Sequence, residues 1–79
     1  MQVRVRLHAS LVGHAPGARA GETFQVAIPA DSRVRDVIEQ LGVPEGEVRT
    51  TFVNGRARGL DWQLQSGDEI GIFPAVGGG

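Results

Sequence analysis

The sequence contains no cysteine and no lysine. Without cysteine there is no disulfide, no thiolate metal site, no iron–sulfur cluster and no thiol nucleophile. Without lysine, all eight basic residues are arginine: Arg4, Arg6, Arg19, Arg33, Arg35, Arg49, Arg56 and Arg58. No apolar run approaches the roughly 20 residues of a membrane span, and the polar opening MQVRVRLH does not read as a signal peptide. The expectation is a cytoplasmic protein with no membrane partner. A formal net charge of −1 leaves no basic footprint for nucleic acid. What is there is ordinary for a folded domain. Hydrophobic residues make up 41% and charged residues 22% of the 79, which suits one small domain and not a disordered tail.

Alternation opens the chain. Val3, Val5 and Leu7 lie on one face of a half-buried strand, with Gln2, Arg4, Arg6 and His8 on the other. Residues 9–21, with Gly13, Pro16, Gly17 and Gly21, read as a loop. Residues 22–28 alternate again around Phe24, Val26 and Ile28, so the two strands are expected to pair as a hairpin. Pro29 ends the second strand, and Asp31 and Ser32 stand where a helix N-cap belongs. Val34, Val37, Ile38 and Leu41 form one stripe of an amphipathic helix. Gly42 sits at the C′ position and Pro44 prevents continuation, so the helix should run for about nine or ten residues. Residues 49–53 make a third strand, Asn54-Gly55 is a hairpin signal, and residues 56–58 make a short fourth strand. Residues 60–65, with Trp62 and Leu64, read as a turn or loop that lids the core. After a turn at residues 66–68 comes the last strand, with Ile70 and Ile72 inward and Pro74 closing it. This is an α+β order, β-β-α-β-β-β, in which one main helix lies across a mixed sheet of four to five strands. It matches the ubiquitin-like β-grasp fold. The expected body is residues 1–74, and residues 75–79 form a flexible glycine tail.

Few residues suit catalysis. His8 and His14 could at most begin a metal site and are expected to be solvated. Ser10 and Ser32 have no evident base, and Asp68, Glu69, Glu45 and Glu47 read as surface acids. Neither a GxxxxGK[ST] loop nor a strand–GxGxxG–helix unit occurs. The expectation is a protein that is not an enzyme and binds neither metal nor cofactor. The C-terminus is different. Pro74 stiffens the exit from the sheet, and Gly77, Gly78 and Gly79 make a thin tail without side chains. The five residues after Pro74 can reach roughly 17 Å, enough to enter a narrow channel. A frayed glycine end or a cloning scar is the alternative reading.

The segment from Ser66 through Gly67-Asp68-Glu69 to Phe73-Pro74-Ala75-Val76-Gly77-Gly78-Gly79, following Phe52-Val53-Asn54-Gly55-Arg56, resembles the MoaD/ThiS family of ubiquitin-like sulfur carriers. The ending looks more like the MoaD type, the small subunit of molybdopterin synthase. It departs from that pattern in its third glycine and in Ala75, where many relatives have a second proline. The resemblance implies that a ubiquitin-activating-type adenylating enzyme (MoeB/ThiF type), using ATP, converts the Gly79 carboxylate to an acyl-adenylate. A desulfurase or rhodanese then supplies sulfur, giving a thiocarboxylate at Gly79. Gly78, Gly77 and Val76 would thread into a MoaE-type large subunit, where the sulfur reaches a pterin precursor for molybdenum or tungsten cofactor. Thiamine synthesis, tRNA thiolation and ubiquitin-like conjugation to proteins are the alternatives.

The missing residue types fit that chemistry. Sulfur on the terminal carboxyl meets no competing thiol, and arginine, always protonated, offers no amine for the activated tail to acylate. A GC-rich codon bias would produce the same arginine excess. Alternation also nominates a docking face. If Ile70, Ile72 and Val53 point inward, then Gly71, Phe73 and Phe52 point outward as an apolar patch beside the tail. The competing expectation is that one phenylalanine is covered by the Trp62 loop. Ordering five tail residues costs about 5–10 kcal/mol, which such a patch or a partner's groove must offset.

Overall fold

Burial follows the alternation along β1 (Gln2–Leu7): Val3, Val5 and Leu7 are at most 1% exposed while Gln2 and Arg4 face solvent. The computed structural model describes residues 1–75, so the expectations placed on Val76, Gly77, Gly78 and Gly79 lie outside the described residues. β2 (Thr23–Ala27) runs antiparallel to β1, with Val5 opposite Phe24 and Val3 opposite Val26. β5 (Glu69–Pro74) lies parallel to β1 on its other side, with Val5 beside Ile70 and Leu7 beside Ile72. β3 (Val48–Val53) is antiparallel to β5, and β4 (Arg56–Ala57) closes the far edge. The sheet order is β2-β1-β5-β3-β4, with the first and last strands inside the sheet and paired to each other. One helix, α1 (Val34–Gln40), buries Val34, Val37 and Ile38 against the inner face, which completes the β-grasp architecture.

The β3–β4 turn has the geometry its residues dictate. Asn54 and Gly55 have φ of 52° and 83°, both left-handed, as a two-residue type I′ hairpin requires. Side chains then tie the turn to β5. The Asn54 carboxamide oxygen accepts the Glu69 N–H (3.0 Å) and its Nδ2 donates to Asp68 (2.9 Å).

Three expectations need correction. The first concerns the helix, which has seven residues and begins one position later than Asp31 and Ser32 require. Arg33 is the N-cap. Ser32 is buried, and its hydroxyl donates to the Pro29 carbonyl at 2.7 Å. The first helical N–H groups are satisfied from far along the chain: Val34 donates to the Trp62 carbonyl (3.0 Å) and Arg35 to that of Leu60 (2.9 Å). A tertiary contact thus replaces the side-chain cap. The C-terminus ends as expected at Gly42 (φ 76°), whose N–H reaches the Glu39 carbonyl while Val43 N–H reaches that of Ile38, a Schellman pair.

The second correction concerns residues 9–21. They include a 3₁₀ helix (Ala9–His14) that sends Leu11 into the core at 0% exposure. The third concerns the lid. Leu64, 2% exposed, is its buried residue, whereas Trp62 is 43% exposed and lies under the Arg58 guanidinium, 4.1 Å from the ring centroid. Among the described residues, no helix is long and apolar enough to cross a membrane.

Candidate functional site

The outer face of the sheet is where the strand registers bring the nominated residues together. Phe52 on β3 stands opposite Gly71 on β5, and Gly71 stands beside Arg6 on β1, forming a row across three strands. Ile70, Ile72 and Val53 are buried, so Phe52, Gly71 and Phe73 face outward, all half-buried, as the alternation implies. Phe73 meets Phe52 edge-on, with ring centroids 5.5 Å apart and planes at 80°. The Trp62 loop covers neither phenylalanine; Trp62 pairs with Arg58 instead.

A further residue joins this group. His8, expected to be solvated, is half-buried and stacks on Phe73 with ring centroids 3.9 Å apart and planes 9° from parallel. It is the outward position that follows Leu7, which lies beside Ile72, so the parallel β1–β5 register delivers it to Phe73. Arg6, His8, Phe52, Gly71 and Phe73 line an open concavity of about 380 Å³. Gly71 is part of its lining, and a Cβ there would stand 3.4 Å from a Phe73 ring carbon, an ordinary van der Waals contact. The polar rim is set by Glu69, whose carboxylate pairs with Arg4 (3.3 Å) and Arg6 (3.0 Å). The face is therefore an aromatic centre beside a charged border, the usual composition of a recognition surface.

The remaining titratable candidates are dispersed. His14 pairs with Glu47 (Nε2–Oε2 2.7 Å) and Glu45 with Arg35 (3.3 Å), so these groups are engaged rather than simply solvated. Among the described residues, no group of three or more potential metal ligands comes together.

Burial pushes the His8 imidazole below its ordinary value of 6.5, and the Arg6 charge pushes it in the same direction. The unfolded chain therefore takes up this proton before the folded one does. The His8 contribution to stability is whole above pH 6.5 and is lost as pH falls from there through the depressed folded value. An NMR titration of the His8 ring is expected to show a midpoint below 6.5. Arg6→Gln should raise it only part of the way, because burial is the larger cause. A midpoint at or above 6.5 would contradict this account.

A mixed five-stranded sheet grasping one helix, with an apolar patch on the strand that leads to a glycine end, defines a ubiquitin-like protein. The sequence model of the Mut7-C ubiquitin family matches residues 1–77, and the chain belongs to that family. Among solved structures, the chain is 25% identical to SAMP1 of Haloferax volcanii, with a TM-score of 0.74 and 100% of each chain covered. It is 29% identical to a Pyrococcus furiosus chain described as subunit 1 of molybdopterin converting factor, with a TM-score of 0.69, covering 96% of this chain and 99% of that one. A Helicobacter pylori complex of subunits 1 and 2 of molybdopterin-converting factor shares the fold at 22% identity, with a TM-score of 0.62 and 100% of each chain covered. No curated protein matches the sequence.

Proposed function

We propose that this protein is a sulfur carrier of the molybdopterin-synthase small-subunit type, with Gly79 as the residue that carries the sulfur. The observation that carries the reading is the patch formed by Phe52 on β3 with Gly71 and Phe73 on β5, the strand that precedes the glycine end in the sequence. The likeness to the Pyrococcus furiosus converting-factor subunit, over nearly the whole of both chains, supports it. In this scheme the Gly79 carboxylate attacks the α-phosphate of ATP on an adenylating enzyme, and pyrophosphate leaves. The persulfide of a desulfurase or rhodanese then displaces AMP from the mixed anhydride, and a second thiol reduces the resulting acyl disulfide, leaving the thiocarboxylate and a disulfide. The thiocarboxylate travels to a MoaE-type large subunit, with Val76, Gly77 and Gly78 as the slim approach. The carrier contributes recognition and presentation; the chemistry belongs to its partners. Thiamine or tRNA thiolation would use the same carrier steps with another acceptor.

Conjugation to other proteins is the second reading, favoured by the likeness to SAMP1, which is a small archaeal modifier protein. Mass spectrometry separates the two. After incubation with ATP, an adenylating enzyme and a sulfur donor, one oxygen at Gly79 is expected to be replaced by sulfur, and deletion of Gly79 should abolish the change. An unmodified carboxylate, with amide adducts on lysines of added proteins, would replace the carrier reading by the modifier one.

A further inference from the structure

The sheet has an unfinished edge. β3 has six residues and its outer neighbour β4 only two, which pair with Phe52 and Val53. Arg58 N–H adds one bond to the Thr51 carbonyl at 2.9 Å. The chain then leaves the sheet, because the Leu60 carbonyl accepts the Arg35 N–H at the start of α1. Among the described residues, no strand lies against the outer side of Val48, Arg49 and Thr50. A groove of about 330 Å³ lies in the vacated line of β4, bounded by those three residues, Arg58, Gly59 and Leu60.

The charged residues that line this groove, Arg49 and Arg58, are both positive. Arg49, Arg56 and Arg58 form no ion pair among the described residues. The nearby acids are engaged elsewhere: Glu45 and Asp61 with Arg35, and Glu47 with His14. A chain whose net charge is −1 thus has arginines along the part of the β3 edge that β4 leaves uncovered.

We infer that the Val48–Thr50 edge of β3 receives an extended acidic segment of a partner protein as an added strand. Its backbone would continue the line of β4, and carboxylates at alternate positions would meet Arg49 and Arg58. Main-chain bonds supply affinity in this mode and alternate side chains supply specificity. A second copy of this chain fits less well. Self-pairing would set arginine against arginine across the new ladder, and the β2 strand of a second copy, TFQVA, has no acidic residue to offer. This surface is the outer edge of β3, whereas the aromatic patch lies on the face of the sheet, and it does not depend on the sulfur chemistry.

The test uses the full chain and an acetylated, amidated peptide of alternating valine and glutamate, followed by nitrogen–proton NMR. Backbone amide signals of Arg49, Thr50 and Arg58 are expected to shift on titration. A valine–lysine peptide of the same length, and a valine–glutamate peptide N-methylated at alternate peptide nitrogens, should leave them unmoved. Arg49→Glu with Arg58→Glu should weaken binding about tenfold at low salt. Arg49→Glu alone, at an exposed position, keeps the test valid if the double variant misfolds. Equal shifts with the lysine peptide, shifts centred on β2 or on Phe52 and Phe73, or no effect of charge reversal would each overturn the proposal. Concentration-dependent shifts of the same amides without peptide would overturn it in favour of self-pairing.

Discussion

Replacing Phe52 and Phe73 together by alanine is expected to lower affinity for the proposed adenylating partner by about a thousandfold while the domain stays folded. Aromatic residues at the centre of an interface are typical hot spots, each worth about 2 kcal/mol or more on truncation. Here the two rings also fix each other, edge-on at 5.5 Å, and His8 backs Phe73 from the other side. A partner docking here as proposed would therefore meet a surface already arranged, with little side-chain entropy left to lose. The folded state loses much less, because both rings lie on the outer face, away from the cluster that holds α1. The ring pair itself is worth about 0.5–1.5 kcal/mol. Calorimetric titration with the adenylating enzyme, beside a thermal melt of each variant, measures both quantities. An unchanged dissociation constant would remove this face from the docking surface.

Period-two alternation is the reason that patch was legible. In a strand, the burial of Ile70 and Ile72 dictates the exposure of Gly71 and Phe73, and the Asn54-Gly55 turn places Phe52 on the neighbouring strand. His8 was not legible in the same way. Its place beside Phe73 depends on the parallel register of β1 on β5, and these strands are joined by the rest of the chain with no turn to set their offset. The helix start was misread for a related reason. Asp31 and Ser32 are good N-cap residues, but carbonyls of Leu60 and Trp62 reach the first N–H groups across the fold. Leu11 was hidden because a 3₁₀ helix of six residues in a glycine-rich stretch produces no periodic apolar signal. The unfinished edge of β3 depends on where the chain leaves the sheet after Arg58, which again is a tertiary fact.

Ile70→Ala is expected to destabilise the domain by about 2–5 kcal/mol, the range for truncating a fully buried isoleucine. Ile70 is 0% exposed on β5, at the middle of the sheet, with Val5 beside it on β1 and Val53 opposite it on β3. Both neighbours are themselves buried, so a cavity there has no flexible wall that can close it. A domain of this size has a total stability of about 4–12 kcal/mol, so the loss removes a large fraction of it. The midpoint of thermal unfolding should fall by about 10 °C or more, while Ile70→Val, costing about 0.5–1.5 kcal/mol, should give a graded, smaller shift. Circular dichroism melts of the two variants check the series, and a change below about 1 kcal/mol for Ile70→Ala would contradict the packing described. The same strand carries Gly71 and Phe73 on its other face, so unfolding through Ile70 also dismantles the proposed docking surface. Binding measured below and above the variant's own midpoint separates the effects. Below the midpoint Ile70→Ala should bind almost as the parent does, whereas Phe52→Ala with Phe73→Ala should bind poorly at every temperature at which it is folded.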